Sequence, residues 1–291
     1  MHVAKFKVLQ RLFAPLLVLC SYAVVLPIQA EEPVQAAEEA APKTVPAVTG
    51  EEVAKHCDYK NAGDDQRSRL TIILKDSTGS ERKNVYLRLW KDYKGVNNIV
   101  DKMVLFTEDP PDARGAGFMR WAFTRESDKN ADQWIYLPAL RKIRRVSIRD
   151  PGDSFLGSDL TYADISGRAL DEDDHKLTKI EAAGPNDFYV VESTPREKNP
   201  LYSKKISWFL KSPSWETCVK ARVDYYDKKG ELLKRQQLKW QKVGPAYVWD
   251  KVAVQNVQTL HASQFEVTNV EVNVGLKDDI YSERTLQQGY R

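Results

Sequence analysis

The chain has 291 residues, with 44 lysines and arginines against 41 aspartates and glutamates. Residues 1–30 hold three of the bases, Lys5, Lys7 and Arg11, and no acid, so the remainder balances at 41 against 41. That balance excludes a dedicated nucleic-acid binder, whose affinity rests on an excess of cations over phosphate.

The three bases lead into an apolar stretch from Leu12 to Ala30, broken by Pro15 and Pro27 and ending before Glu31 and Glu32. This is the layout of a cleavable signal peptide, whereas a spanning helix needs about 20 unbroken apolar residues. Cleavage is placed near Ala30, with Ile28 a bulkier −3 residue than the peptidase prefers. An uncleaved anchor and lipidation at Cys20 are the alternatives. Leu19 before Cys20 and the apolar run beyond it both oppose the second.

Residues 31–48 are mostly Ala, Glu, Pro and Val, with almost nothing large to bury, and read as a disordered acidic tether. Thr49, Gly50, Glu51 and Glu52 then supply a cap and first-turn acids for a short helix with Val53, Ala54 and Cys57 on one face. Once Cys20 leaves with the signal, Cys57 and Cys218 remain, and an oxidising compartment invites a disulfide. Two buried thiols are the alternative, because a sequence does not place two Cβ atoms within reach of each other.

From Leu70 onward apolar and polar positions alternate between turn signals, the pattern of half-buried strands. Leu70–Leu74 and Val85–Leu89 flank a turn at Asp76–Ser80. Further strands read at Met103–Thr107, Phe118–Thr124, Trp134–Leu137, Lys142–Ser147, Leu177–Ala182, Phe188–Glu192 and Lys204–Leu210. Val219–Tyr225 and Leu232–Trp240 form the clearest hairpin, and Ala246–Val257 and Phe265–Val274 close the series. Helical signal appears only near Thr49, Asp159 and Tyr281. The fold class is mainly β, one antiparallel sheet in a domain spanning 49–291. So long a sheet must curl, because strand twist accumulates, and a curled sheet with short helices in its mouth is a container.

Few residues suggest covalent chemistry. Ser154 lacks the Gly-x-Ser-x-Gly elbow, because Phe155 and Leu156 precede Gly157. Asp171, Glu172, Asp173 and Asp174 beside His175 could hold a hard cation, but consecutive acids on an extended chain point apart and no calcium-loop spacing is present. His56 and His261 have no sequence partner, and no cysteine or histidine spacing suggests zinc. The expectation is no catalytic residue, no metal and no cofactor. The run Arg141, Lys142, Ile143, Arg144, Arg145 places positive charge on both faces of a strand. It reads either as a contact for an anionic head group or acidic partner, or as a solvated strand with paired acids.

The passages Asp132–Arg145 and Gly152–Asp164, with Tyr225–Leu233 later, resemble the outer-membrane lipoprotein-sorting proteins of LolA-like fold. The resemblance extends from about Leu70 to the C-terminus. It implies a curved, incompletely closed antiparallel barrel plugged by short helices, located in the periplasm and sheltering acyl chains of lipid or lipoprotein. It also implies the company of an RND-superfamily exporter of the inner membrane. Trp134, Tyr136 and Leu137 are then candidates for the cavity wall. Phe155, Leu156 and Tyr162 are further candidates; the loop Gly152–Asp159, with its two glycines, and the short capped helix through Tyr162 read as a movable cover over the cavity mouth, against a static turn that links two strands. Arg141, Arg144 and Arg145 are candidates for head-group or partner contact. The expected function is a monomeric periplasmic carrier that shuttles acyl cargo toward the outer membrane; the alternative is an adaptor of a membrane export system.

Overall fold

The structure, a computed structural model, describes residues 48–147 and 152–290. The expected signal peptide, the expected tether up to residue 47 and residues 148–151 after the basic strand lie outside the described residues.

Three α-helices are present among the described residues: α1 (Gly50–Cys57), α2 (Tyr162–Ile165) and α3 (Glu283–Gln288). The first meander comprises β1 (Asp65–Lys75), β2 (Glu81–Asp92), β3 (Ile99–Asp109), β4 (Gly117–Phe123), β5 (Asp132–Leu137) and β6 (Lys142–Ser147). The second comprises β7 (Asp173–Ala183), β8 (Asn186–Pro195), β9 (Lys204–Leu210), β10 (Lys220–Tyr226), β11 (Leu232–Val243), β12 (Ala246–Asn256) and β13 (Ala262–Val272). Every strand expected from the alternation is therefore found.

The thirteen strands form one sheet in the order β6-β5-β4-β3-β2-β1-β13-β12-β11-β10-β9-β8-β7, with every pairing antiparallel. The first and last strands join the two meanders, with Leu70 opposite Val267 and Ile72 opposite Phe265. The edges β6 and β7 stay unpaired with each other, so the barrel is not closed. The chain between them carries α2.

Period-2 alternation sorts most of the apolar residues into two clusters on opposite faces of the sheet, with a third under α1. Leu70, Ile72, Leu74, Met103, Leu105, Phe118 and Phe265 join the main cluster together with Phe155 and Leu160 from the β6–β7 connection. Leu89, Val104, Phe106, Met119 and Trp134 face the other way, under Leu276, Ile280, Tyr281 and Leu286 of the C-terminal segment. Buried on both faces, β3 reads as an unbroken apolar run from Met103 to Phe106. The C-terminal cover is fixed by Asp65, whose buried carboxylate accepts backbone N–H groups of Val274, Gly275 and Leu276 at 2.7, 2.9 and 2.9 Å. It also needs Gly117, where a Cβ would stand 2.6 Å from Leu286 Cδ1.

At the other end of the sheet Thr49 and Glu52 form a reciprocal capping box that starts α1. Val53 and Cys57 of that helix pack with Tyr189, Val191 and Phe209. Cys57 is disulfide-bonded to Cys218, just before β10.

Candidate ligand cavity

A cavity of about 350 Å³ lies within the curve of the sheet, between inner-face residues of β1–β4 and of β11–β13. Its apolar wall includes Leu70, Trp90, Met103, Phe155, Trp249 and Phe265, and Gln66, Arg88, Asp101 and Arg120 form a polar side. Strand parity puts the two arginines there. Arg88 stands between Tyr86 and Trp90 on the inner face of β2, and Arg120 between Phe118 and Ala122 on β4. Arg88 donates to Gln66 Oε1 at 2.7 Å, and Arg120 donates to Asp101 Oδ1 at 3.1 Å and Ser166 Oγ at 2.8 Å. Burial pushes the Arg88 guanidinium down to about 10. Burial also raises the Asp101 carboxyl, although Arg120 and Arg88 oppose that shift.

Ile165–Gly167 separate this cavity from a more polar recess of about 270 Å³ that holds Lys205, Ser207, His175 and Tyr225. Lys205 Nζ lies 5.3 and 5.5 Å from the ring centres of Tyr202 and Tyr225. Among the described residues no carboxylate is within ion-pair distance of it, and burial pushes its amine down. Its neighbour Lys220 pairs with Asp58 at 2.5 Å.

The segment expected as a movable cover is anchored inside the sheet. Phe155 and Leu160 are buried in the main cluster, and Leu156 and Tyr162 pack against it. Asp159 accepts from Ser263 and lies 2.8 Å from His261 Nδ1. Asp164 caps α2 through Thr161, accepts from Tyr202 Oη at 3.1 Å and pairs with Lys234 Nζ at 2.6 Å. Because Arg120 holds Ser166 from β4, α2 is tied to both meanders.

Of the cavity candidates, only Phe155 lines this cavity. Trp134 and Tyr136 do not, because on β5 it is Ile135 that faces the main cluster, while Trp134 and Tyr136 join the outer cluster under the C-terminal segment. Leu137, half-buried at the end of β5, is likewise absent from the wall. Arg141 occupies the turn before β6, with φ 48°, rather than the strand. Arg144 stands opposite Ile135 and Arg145 opposite Trp134, so strand charge is indeed placed on both faces. All three arginines are exposed, and Arg145 pairs with Asp132. The acids near His175 turn to separate partners: Asp171 to Arg125, Glu172 to the Ala169 N–H, Asp173 to Arg168 and Asp174 to Arg196. Sequence reasoning passed over Arg88, Asp101, Arg120 and Lys205. The available signal was a charge at an apolar-phase position of an alternating strand, as in Tyr86-Arg88-Trp90.

An open, curved antiparallel sheet with short helices inside its concave face defines a protein of LolA-like fold. A family model described as "-like: Uncharacterized protein" matches residues 100–288, and the chain belongs to that family. Among solved structures it is similar to a DUF1329 family protein from Desulfovibrio piger, at 25% identity and TM-score 0.70 over 81% of this chain and 97% of that one. It is similar to an outer membrane lipoprotein-sorting protein domain from Vibrio parahaemolyticus, at 24% identity and TM-score 0.68 over 82% and 98%. A LolA superfamily protein from Nitrosomonas europaea shares the fold at 18% identity and TM-score 0.59 over 82% and 99%. No curated protein sequence matches the chain significantly. Among the described residues no helix is long and apolar enough to cross a membrane.

Proposed function

We propose that this protein is a periplasmic carrier that holds an acyl chain of a lipid or lipoprotein in the cavity and moves it toward the outer membrane. The observation that carries the reading is the cavity itself, walled by Leu70, Trp90, Met103, Trp249 and Phe265 inside a sheet that stays open between β6 and β7. Removing a chain from water contributes about 0.8 kcal/mol per buried CH2. A few methylenes therefore suffice for capture while a membrane still competes for the cargo. The work is binding and release, with no covalent step. The described fold of LolA-superfamily and lipoprotein-sorting neighbours agrees with this role.

In this reading residues 1–30 direct export and are removed near Ala30, residues 31–48 are a tether, and 49–291 form the carrier domain, working as a monomer. The partner on the inner membrane is an RND-type exporter, met through the exposed Arg141, Arg144 and Arg145. Native mass spectrometry of the protein purified from its own periplasm tests the reading. Co-purifying lipid or acylated protein is the expected result. A protein that is always empty and takes up no acyl chain in vitro, yet binds an exporter, would replace the carrier with an adaptor.

A further inference from the structure

The polar side of the cavity bears on what the cargo is. A guanidinium offers five N–H donors. Arg88 donates to a single protein acceptor among the described residues, Gln66 Oε1, and no carboxylate of those residues lies within ion-pair distance of it. None of its nitrogens is sealed away without a partner, so the remaining donors reach accessible space. Arg120 is held in place by Asp101 and Ser166. The wall thus carries two fixed cations against one anion, beside an apolar surface.

A cation at this position is costly for folding alone: Asp101 attracts it but is bonded to Arg120, a charge with no contacting carboxylate is disfavoured in apolar surroundings, and the inner phase of β2 would accept an aliphatic residue. Filling the cavity with a neutral chain would strip water from Arg88 and offer nothing in return. An anionic oxygen group offsets that loss through charge-assisted hydrogen bonds. Size adds a second constraint. About 350 Å³ is near the lower end of ligand pockets, roughly 300–1,000 Å³, and suits one chain rather than several.

We infer that the cavity takes a single-chain amphiphile with an anionic head, a carboxylate or a phosphate, placed against Arg88 beside Arg120, its chain lying along Trp90, Met103, Trp249 and Phe265. This rests on the carrier reading and adds the chemistry of the cargo's head.

The test is a titration of delipidated mature protein below the micelle threshold, followed by tryptophan fluorescence, since Trp90, Trp240 and Trp249 line the cavity. The probes are palmitate, palmitoyl lysophosphatidate and methyl palmitate, which share one chain and differ in the head. At least one anionic probe is expected to bind ten-fold or more tightly than the ester. A preference for palmitate points to a free fatty acid, and a preference for the phosphate to a lysophospholipid. Arg88→Gln should lower affinity for the preferred anion about ten-fold and leave the ester unchanged. Asp101→Asn should raise anion affinity, because it removes the one acid of the wall while its amide oxygen still accepts from Arg120. Equal affinity for all three probes in the wild type would overturn the anionic head but keep the carrier. No binding of any probe would count against the carrier itself. The wild-type comparison decides even if a variant fails to fold.

Discussion

Asp164 of α2 and Lys234 of β11 form an ion pair at 2.6 Å, their side chains 0% and 3% exposed. Tyr202 donates to the same carboxylate oxygen, and Lys234 also donates to the Asp159 carbonyl at 2.7 Å. The pair therefore joins the β6–β7 connection to the second meander at a point sealed from water. Removing one member of a buried pair leaves the other uncompensated, which costs about 3–5 kcal/mol. Lys234→Met and Asp164→Leu are each expected to lower the unfolding free energy obtained from urea melts by that amount. The double variant should recover part of the loss. A double-mutant cycle on purified protein measures the coupling.

The same pair sets how the plug moves. A loosely held cover would be drawn from the low-stability end of the structure and exchange its amide hydrogens quickly when empty. Anchored by Asp164, Asp159 and Ser166, residues 155–165 should instead be protected in the empty protein, close to the level of Val223 on β10. In Lys234→Met they should exchange fast while Val223 stays slow. Hydrogen exchange with peptide resolution checks both. Fast exchange of 155–165 in the empty wild type would restore the cover that two glycines and a capped turn suggest from the sequence.

Most of the sheet was legible because each strand announces itself locally, with alternation bounded by turn residues. The hairpin turns are equally local. Asp76 accepts from the Thr78 and Ser80 N–H groups, and Asp227 from those of Lys229 and Glu231, each beside a glycine with positive φ. What stayed illegible depends on which strands meet across the sheet. That β1 pairs with β13 is decided by contacts about 200 residues apart. Trp134, a candidate for the cavity wall, lies on the other face, because aromatic content does not reveal phase and the C-terminal cover makes that face an outer core. Arg88 and Arg120 went unremarked for a related reason, since a charge within a strand signals a site only once its face is known to line a cavity.

Asp224 on β10 should set part of the acid stability. Burial raises its carboxyl, but hydrogen bonds from Arg222 and Arg235 win, and its titration lies below the ordinary value of 3.8. Arg222 Nε and Arg235 Nε reach its Oδ1 at 2.8 and 3.0 Å. A carboxyl depressed in the folded state binds protons more weakly there than in the unfolded chain. Its stabilisation is complete above pH 3.8 and is lost as the pH falls through the lower folded value. Asp224→Asn should destabilise by about 1–3 kcal/mol at pH 7, because both arginines keep access to water, and should unfold with a shallower dependence on pH below 4. Urea melts of both proteins at several acid pH values check this.

The Cys57–Cys218 disulfide closes a separation of 161 residues and ties α1 to the start of β10. Constraining so long a loop lowers the entropy of the unfolded chain, and losing such a bridge costs on the order of 2–5 kcal/mol. The Cys57→Ser, Cys218→Ser double variant is expected to melt several degrees lower, with α1 the first element to lose protection. Peptide mapping without reduction should find the two cysteines linked in the exported protein. Two alkylatable thiols would remove the bridge.

The exposed arginines around β6 admit two accounts. Charges along an edge strand blunt edge-to-edge pairing with other chains, and that alone would justify them. They also present a local positive cluster, because Arg145 has an acidic partner in Asp132 whereas Arg141 and Arg144 have none among the described residues. Reversal to glutamate separates the two accounts, since glutamates protect an edge as well as arginines do but repel anionic surfaces. The Arg141→Glu, Arg144→Glu, Arg145→Glu variant is therefore expected to fold and stay soluble like the wild type. Each basic side chain near an anionic membrane contributes about 1 kcal/mol, so binding to vesicles rich in anionic lipid should weaken at least ten-fold. Exposed charges are screened within a Debye length of about 10 Å at 0.1 M salt, and the difference between the proteins should shrink as salt rises. Co-sedimentation with vesicles over a salt series measures it. Equal binding at low salt by a folded variant would leave edge protection as the whole account of these residues.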